Sequence, residues 1–288
     1  MRNMILALSV LGCTIPAGSH AQSNDQRIEW NQPMAPFRIA ANVHYVGTRG
    51  LGAYLITDPK GHVLIDGGLP ESAPLIAANI RKLGFRLRDV KYLLINHAHF
   101  DHSGGLAELK RLTGSRLVAA AGDRADLESG QVAGRPELPP APAVNVDRIV
   151  RDGERLRLGA TVLTANVTPG HTRGCTSWSM PTKAGTILFA CSLTVAGQKL
   201  IDDPTYPNAA ADFRATYARL KGMKVDIFVN FHPEFFDMEA KRARQLAGDS
   251  QAFVDSGELR RQVESAERGF EKELAAQQAR AVSAPAGN

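Results

Sequence analysis

Short stretches in which apolar and polar residues alternate predict β-strands in the first half of the chain. Such stretches occur at residues 43–46, 53–57 and 63–65, and the period of two is that of a strand with one buried face. Residues 90–95 form a run that is apolar except for Lys91, so we expect a strand that is buried on both faces. Residues 117–120 predict a further strand.

The apolar spacing changes to a helical period between these strands. Residues 74–83 predict a helix that Gly84 ends as its C-cap, and residues 106–112 predict a second one. Residues 130–143 are rich in proline and glycine and carry little pattern, which predicts a surface loop.

The order of elements starts again after this loop. Strands are predicted at residues 148–150, 155–158, 162–167, 177–180 and 186–190. A helix at 210–220, a strand at 225–230 and a helix at 238–246 follow. A last helix is predicted from about 257 to 281, with one apolar stripe. Two halves that each pass from strands to helices predict an α+β fold, in which two sheets pack face to face with helices outside.

Composition and charge exclude several classes of protein. The chain has 288 residues, of which 44% are hydrophobic and 22% charged, as in ordinary globular proteins. No apolar run reaches the roughly 18 to 20 residues of a membrane span. The net charge is +5, but basic and acidic residues are mixed along the chain, so we expect no nucleic-acid surface.

The first 21 residues are typical of an export signal. Arg2 precedes a short apolar run at residues 4–11, and Ser19 and Ala21 offer the small residues read by signal peptidase. We expect cleavage after Ala21 and a periplasmic protein. A lipoprotein signal that ends at Cys13 is the alternative.

Two cysteines, Cys175 and Cys191, would remain in the exported chain. An oxidising compartment permits a disulfide between them, and we expect them on adjacent strands. Two buried free thiols that act as small hydrophobic side chains fit the sequence equally well.

Three histidines and an aspartate lie within six residues, directly after the strand predicted at residues 90–95. His97 and His99 are two residues apart on an extended stretch, so both can point the same way. Asp101 and His102 lie where the chain turns into the next helix and can point to a neighbouring position. Each pair alone is too small for a catalytic zinc site, which has three protein ligands and one open position.

Two later histidines supply the missing ligands. His171 lies in a tight turn after a strand, and His232 follows another apolar strand. Either alone would be as readily a structural histidine, but together they complete two sets of three. We expect His44 and His62, which lie within strands, to be ordinary residues.

These motifs resemble the metallo-β-lactamase fold superfamily. The H-x-H-x-D-H cluster at 97–102, the Pro-Gly-His at 169–171 and the late His232 carry the resemblance. Residues 168–178, TPGHTRGCTSW, resemble class B, subclass 3 of the true metallo-β-lactamases. The resemblance covers about residues 37–258 and implies an αββα sandwich, with residues 22–288 as a single domain.

The resemblance also implies a metal centre with two Zn²⁺ ions per chain. The first zinc would be held by His97, His99 and His171. The second would be held by Asp101, His102 and His232. Asp101 would also help to orient the attacking water. Asp66 would accept a hydrogen bond that orients a ligand imidazole.

The activity implied by the resemblance is that of a monomeric zinc-dependent β-lactamase. Such an enzyme opens the ring amide of penicillins, cephalosporins and carbapenems through a metal-bound hydroxide and confers antibiotic resistance. The small-molecule β-lactam would be its partner. Ser192, Thr194 and Gln198 are the candidates for holding it, with Gln198 where several relatives have a tyrosine.

Other activities on the same fold are the main alternative. Many relatives that hydrolyse thioesters or lactones have a metal-bridging aspartate, and the matching position here is Ser192. We expect the preceding residue, Cys191, to face away from the metals, because neighbouring residues of a strand point to opposite faces. A non-enzymatic, exported zinc-binding protein is a second alternative.

Overall fold

The computed structural model describes residues 24–283, so the predicted export signal and Cys13 lie outside the described residues. One of its two sheets has seven strands in the spatial order β1 to β7. Strands β1 to β4 are antiparallel to their neighbours, whereas β4 to β7 run parallel. The strands are β1 Phe37–Ala40, β2 Val43–Tyr45, β3 Tyr54–Asp58, β4 Gly61–Ile65, β5 Val90–Leu94, β6 Arg116–Ala120 and β7 Arg148–Val150.

The second sheet has five strands in the spatial order β12-β11-β10-β9-β8. Only β11 and β12 are parallel neighbours, and the other pairs are antiparallel. The strands are β8 Arg155–Leu158, β9 Thr161–Val167, β10 Thr176–Thr182, β11 Gly185–Ala190 and β12 Ile227–Asn230. Both sheets are therefore mixed.

Eight α-helices accompany the sheets within residues 24–283. They are α1 Asn24–Trp30, α2 Ala73–Lys82, α3 Phe100–Ser103, α4 Leu106–Thr113, α5 Arg124–Ser129, α6 Ala209–Lys221, α7 Met238–Leu246 and α8 Glu258–Ser283. None of these described helices has the length and apolar character needed to cross a membrane.

The main core lies between the two sheets. Tyr45, Ile56 and Ile65 from the first sheet share it with Trp178 and Phe189 from the second, and all five side chains are fully buried. Because side chains alternate along a strand, the intervening residues of the first sheet face outward. These include Leu55, Leu64 and Leu93, which pack with Ile76 and Ile80 of α2 and with Leu109 of α4.

Helices α6 and α8 cover the second sheet. Phe270 of α8 packs its ring against Phe213 of α6, with 5.3 Å between ring centroids, and against Tyr217 at 5.7 Å. All three belong to the same buried cluster as the inter-sheet residues. The predicted α+β fold, an αββα sandwich of two mixed sheets, is confirmed.

Four details differ from the predictions. The start of β5 is not buried on both faces, because Lys91 is exposed. Strand β1 was not predicted, since it is a four-residue edge strand whose Arg38 faces solvent. The seven-residue helix α1 and the six-residue helix α5 were not predicted either, as such short segments carry little helical period.

Helix α8 also holds a loop of the second half in place. The Gln277 side chain donates from Nε2 to the carbonyl oxygen of Gln198 at 3.0 Å and accepts from the backbone N–H of Leu200 at 2.8 Å. The helix therefore makes both apolar and polar contacts with the rest of the sandwich.

We predict that Phe270→Ala lowers the free energy of unfolding by about 3 to 5 kcal/mol, as for other buried phenylalanines. Urea denaturation followed by circular dichroism measures this. Val282→Ala is the matched control, because Val282 lies on the same helix but is 87% exposed, and it should change the stability by less than about 0.5 kcal/mol. Equal effects of the two substitutions would contradict the packing of α8.

Candidate metal centre

The six predicted ligands converge at one end of the sandwich. His97 and His99 lie between β5 and α3, and His171 lies between β9 and β10. His232 is separated from the end of β12 by one residue, Phe231. Asp101 and His102 are part of α3. The structure thus brings together residues that are up to 135 positions apart in the chain.

His97, His99 and His171 form the first group of donors. One ring nitrogen from each lies within 4.8 Å of the others, and Nε2 of His171 is 3.1 Å from Nδ1 of His99. All three rings are buried, and Nε2 of His97 has no hydrogen-bond partner. A buried ring nitrogen without a partner is costly, but it suits a metal ligand.

Asp101, His102 and His232 form the second group, again within 4.8 Å. Oδ2 of Asp101 is 3.5 Å from Nε2 of His102 and 3.3 Å from Nε2 of His232. The ring centroids of His97 and His102 are 4.2 Å apart, so the two groups are immediate neighbours.

The other ring nitrogen of several candidate ligands has a partner of its own. Nδ1 of His102 lies 3.0 Å from Oδ2 of Asp66, and Nδ1 of His171 lies 2.7 Å from the carbonyl oxygen of Thr194. Asp66 is fully buried and thus occupies the position expected of a residue that orients a ligand imidazole. Such contacts fix the ring orientation and determine which nitrogen faces the centre.

Burial determines the charges of these groups. It lowers the pKa of His97 and of His99 well below the usual value and that of His171 to about 4. Burial alone would raise the pKa of Asp101, but the neighbouring His102 and His232 lower it. The first group is therefore neutral at pH 7 and the aspartate is ionised, which are the forms that bind a divalent metal. The donor set fits zinc.

A cavity of about 790 Å³ opens over both groups. Ser192 and Thr194 line it together with the six candidate ligands, and their hydroxyl oxygens are 3.1 Å apart. The remaining lining residues are Gln26, Trp30, Phe100, Gly134, Arg135, Glu137, Leu138, Pro139, Ala196, Gly197, Lys199, Glu234 and Phe235.

The structure does not bring Gln198 to this cavity. Its side chain is buried, accepts a hydrogen bond from Arg135 at 3.4 Å and donates one to Asp203 at 3.4 Å. The adjacent Lys199 lines the cavity instead.

Two residues of the cavity wall were missed by the sequence analysis. Arg135 belongs to the loop rich in proline and glycine, yet its guanidinium is buried, donates to the carbonyl oxygen of Ala196 at 2.8 Å and pairs with Glu137. Trp30 packs on the ring of His232, with 5.2 Å between centroids. Neither residue stands in a motif, so only the tertiary structure shows these contacts.

Cys175 and Cys191 form a disulfide that joins the start of β10 to the end of β11. The sequence left this pairing open. The sulfur of Cys191 lies 3.8 Å from Nδ1 of His97, on the opposite side of the ring from the free Nε2. Cys191 therefore faces away from the centre, as predicted.

The family model of the metallo-beta-lactamase superfamily matches residues 52–232. This is more than half of the chain and includes all six candidate ligands. The chain therefore belongs to the metallo-beta-lactamase superfamily.

Solved structures show the subclass that the chain resembles. BJP-1 of Bradyrhizobium japonicum, a subclass B3 metallo-beta-lactamase, is 44% identical, with a TM-score of 0.83 over 87% of this chain and 97% of that one. A metallo-beta-lactamase of Cronobacter sakazakii with an HARLDQ motif is 41% identical, with a TM-score of 0.85 over 88% and 99%. The predicted resemblance to subclass 3 is confirmed. Residues 97–102 of this chain are HAHFDH. At two of the three positions where this sequence differs from HARLDQ, this chain has a histidine.

Curated relatives with other names match a shorter part of the chain. A hydroxyacylglutathione hydrolase of Rhodopseudomonas palustris is 36% identical over 119 residues, which are 41% of this chain and 39% of the relative. The match thus spans well under half the length of that relative.

We predict that His171 of the metal-free protein titrates near pH 4, because burial disfavours its charged form. Nuclear magnetic resonance of the imidazole rings, followed from pH 8 to well below pH 4, measures the titration. A midpoint near the ordinary value of about 6.5 would show that the empty site is open to water.

Proposed function

We propose that the protein is a zinc-dependent β-lactamase that hydrolyses the ring amide of penicillins, cephalosporins and carbapenems. The main support is that two three-donor groups lie under one cavity and that a neutral residue, Ser192, lines this cavity two residues after β11. The similarity to a subclass B3 enzyme, which this chain covers over 97% of that enzyme's length, also supports the proposal.

His97, His99 and His171 would hold one zinc ion, and Asp101, His102 and His232 a second. Zinc supplies Lewis-acid chemistry and lowers the pKa of water toward 7. Each group has three protein donors, which leaves a position open for water or substrate, as in catalytic rather than structural zinc sites.

Asp101 acts as the catalytic carboxylate. Its Oδ2 faces His102 and His232, which leaves Oδ1 to accept a hydrogen bond from the attacking water and so to orient it toward the lactam carbonyl. The low pKa keeps this carboxylate ionised throughout the neutral range.

Ser192 and Thr194 bind the carboxylate that β-lactams carry beside the ring nitrogen. Both line the cavity, and their adjacent hydroxyls can donate two hydrogen bonds to one anionic group. The carbonyl oxygen of Thr194 contacts His171, so the same short segment orients a ligand and the substrate.

Water attacks the amide directly in this proposal. Both cysteines of the described chain are held in the disulfide, so neither offers a thiolate nucleophile. The oxygen of the water bonds to the carbonyl carbon, the C–N bond of the ring breaks and the nitrogen takes up a proton, so the proposed reaction has no covalent acyl-enzyme.

Hydrolysis of thioesters is the second candidate function, because curated relatives are hydroxyacylglutathione hydrolases. The donor set supports thioester hydrolysis less well than β-lactam hydrolysis. Within residues 24–283 the two donor groups include one carboxylate, that of Asp101, and Ser192 stands where thioesterases of this fold place a second.

We further propose that the enzyme acts as a monomer in the periplasm and confers antibiotic resistance there. Residues 1–21 would direct its export. The disulfide is compatible with an oxidising compartment, and β-lactams act outside the cytoplasm.

We predict that the purified protein hydrolyses a carbapenem, that a chelator abolishes this turnover, and that added zinc restores it. Loss of absorbance of the lactam chromophore measures the rate. S-D-lactoylglutathione is the comparison substrate. Turnover of the thioester by a zinc-loaded protein that leaves all three β-lactam classes intact would replace the proposed activity with the second candidate.

We predict that Asp101→Asn lowers kcat by at least about 100-fold, since a positioned acid-base group typically contributes 10²- to 10⁴-fold. Metal analysis of the same sample shows whether both zinc ions remain. Asp152→Asn is the control, because Asp152 is an exposed carboxylate that pairs with Arg219 outside the cavity lining, and it should keep the parent rate. Full activity of the Asp101 variant would refute the assigned role.

A further inference from the structure

Asp123 is a buried carboxylate that no motif contains. It ends the short 3-10 turn between β6 and α5, and its side chain is almost completely inaccessible to solvent. All three of its hydrogen bonds come from neutral groups. Oδ2 accepts from the backbone N–H of Ala98 and from the hydroxyl of Thr172, both at 3.0 Å, and Oδ1 accepts from the backbone N–H of Gly174 at 2.8 Å.

These donors belong to the two loops that carry the first group of ligands. Ala98 lies between His97 and His99, and Thr172 directly follows His171. One carboxylate thus connects the backbone of the first loop to that of the second, although the loops are more than 70 residues apart in the chain.

Close backbone packing makes this contact possible. A Cβ atom on Gly174 would lie 2.4 Å from the backbone nitrogen of Asp123, and one on Gly122 would lie 2.5 Å from the backbone of Arg173. Real Cβ atoms do not approach backbone so closely, so both positions require glycine. The turn that carries Asp123 is therefore pressed directly against the His171 loop.

We propose that Asp123 is a positioning residue that sets the distance between the His97–His99 loop and the His171 loop, and so determines how tightly the three histidines bind zinc. The inference rests on the proposed assignment of these histidines as zinc ligands, but it does not depend on the substrate. Replacement of a residue that orients metal ligands without binding the metal itself typically weakens metal affinity 10- to 100-fold.

Asp123→Asn tests the proposal with nearly unchanged shape. An asparagine has one oxygen and one NH₂ group, and each carboxylate oxygen here faces a backbone N–H. In either orientation the NH₂ group would oppose an N–H donor, at Ala98 or at Gly174. With the NH₂ group toward Ala98 the first loop loses its connection, and with the NH₂ group toward Gly174 the second loop keeps only the hydroxyl of Thr172.

Asp58→Asn is the matched control. Asp58 is also a buried carboxylate beside a glycine, Gly159, and it also connects two loops. It accepts from the backbone N–H groups of Lys60 and Ala160, both at 2.9 Å, and of Thr161 at 3.1 Å. It ends β3, which runs antiparallel to β4, so it lies at the opposite end of the sandwich from the metal centre.

Zinc affinity is measured on the metal-free proteins by competition with a chromophoric chelator, and urea denaturation is measured in parallel. We expect Asp123→Asn to weaken one of the two zinc equivalents by about 10- to 100-fold and to leave the other within about threefold. Asp58→Asn should lose comparable stability but keep both affinities. Thr172→Val, which removes one of the three hydrogen bonds, should weaken the same equivalent by a smaller factor.

The possible failures are distinct. If Asp123→Asn and Thr172→Val both bind two zinc ions as tightly as the parent, or if Asp58→Asn weakens the same equivalent equally, Asp123 has no positioning role. If Asp123→Asn does not fold, unchanged zinc binding by the folded Thr172→Val variant overturns the proposal. If the parent itself binds no zinc, the proposed metal centre fails, and this inference fails with it.

Discussion

The cost of burying six polar side chains at one edge of a β-sandwich constrains the whole site. A buried nitrogen or oxygen without a partner costs free energy, and the centre contains five imidazoles. Polar groups on the side of the rings that faces away from the centre reduce this cost. Asp66 and the carbonyl oxygen of Thr194 occupy one ring nitrogen of His102 and of His171. The opposite nitrogen of each ring is then left to face the centre, where a metal would be its partner.

The sheets determine where these side chains meet. Parallel pairing of β4 with β5 places Asp66 beside the loop that contains His97 and His99, because both strands end at the same edge. Parallel pairing of β11 with β12 similarly places Ser192 near His232. Both sheets thus contribute the ends of parallel strands to the same end of the sandwich, and the cavity lies there.

Local patterns in the sequence predicted most of the strands and helices and the six candidate donors, because spacing along an extended chain determines which side chains share a direction. They failed where that regularity ends. Ala196 and Gly197 have φ values of 46° and 75°, so alternation does not continue through the segment, and Gln198 turns inward while Lys199 reaches the cavity. The buried Arg135 and Asp123 depend on contacts between distant loops, which no local pattern encodes.

The two residues after β11 have different roles. Cys191 belongs to the disulfide, and Ser192 lines the cavity. The bond to Cys175 holds Cys191 on the far side of His97 and leaves Ser192 as the residue that faces the cavity. Because serine is neutral, Asp101 is the one anionic donor within the two groups. Two bound divalent cations would then keep more positive charge than in a centre with a second carboxylate. That excess favours a substrate with its own carboxylate and an anionic leaving nitrogen, and both are properties of a β-lactam undergoing ring opening.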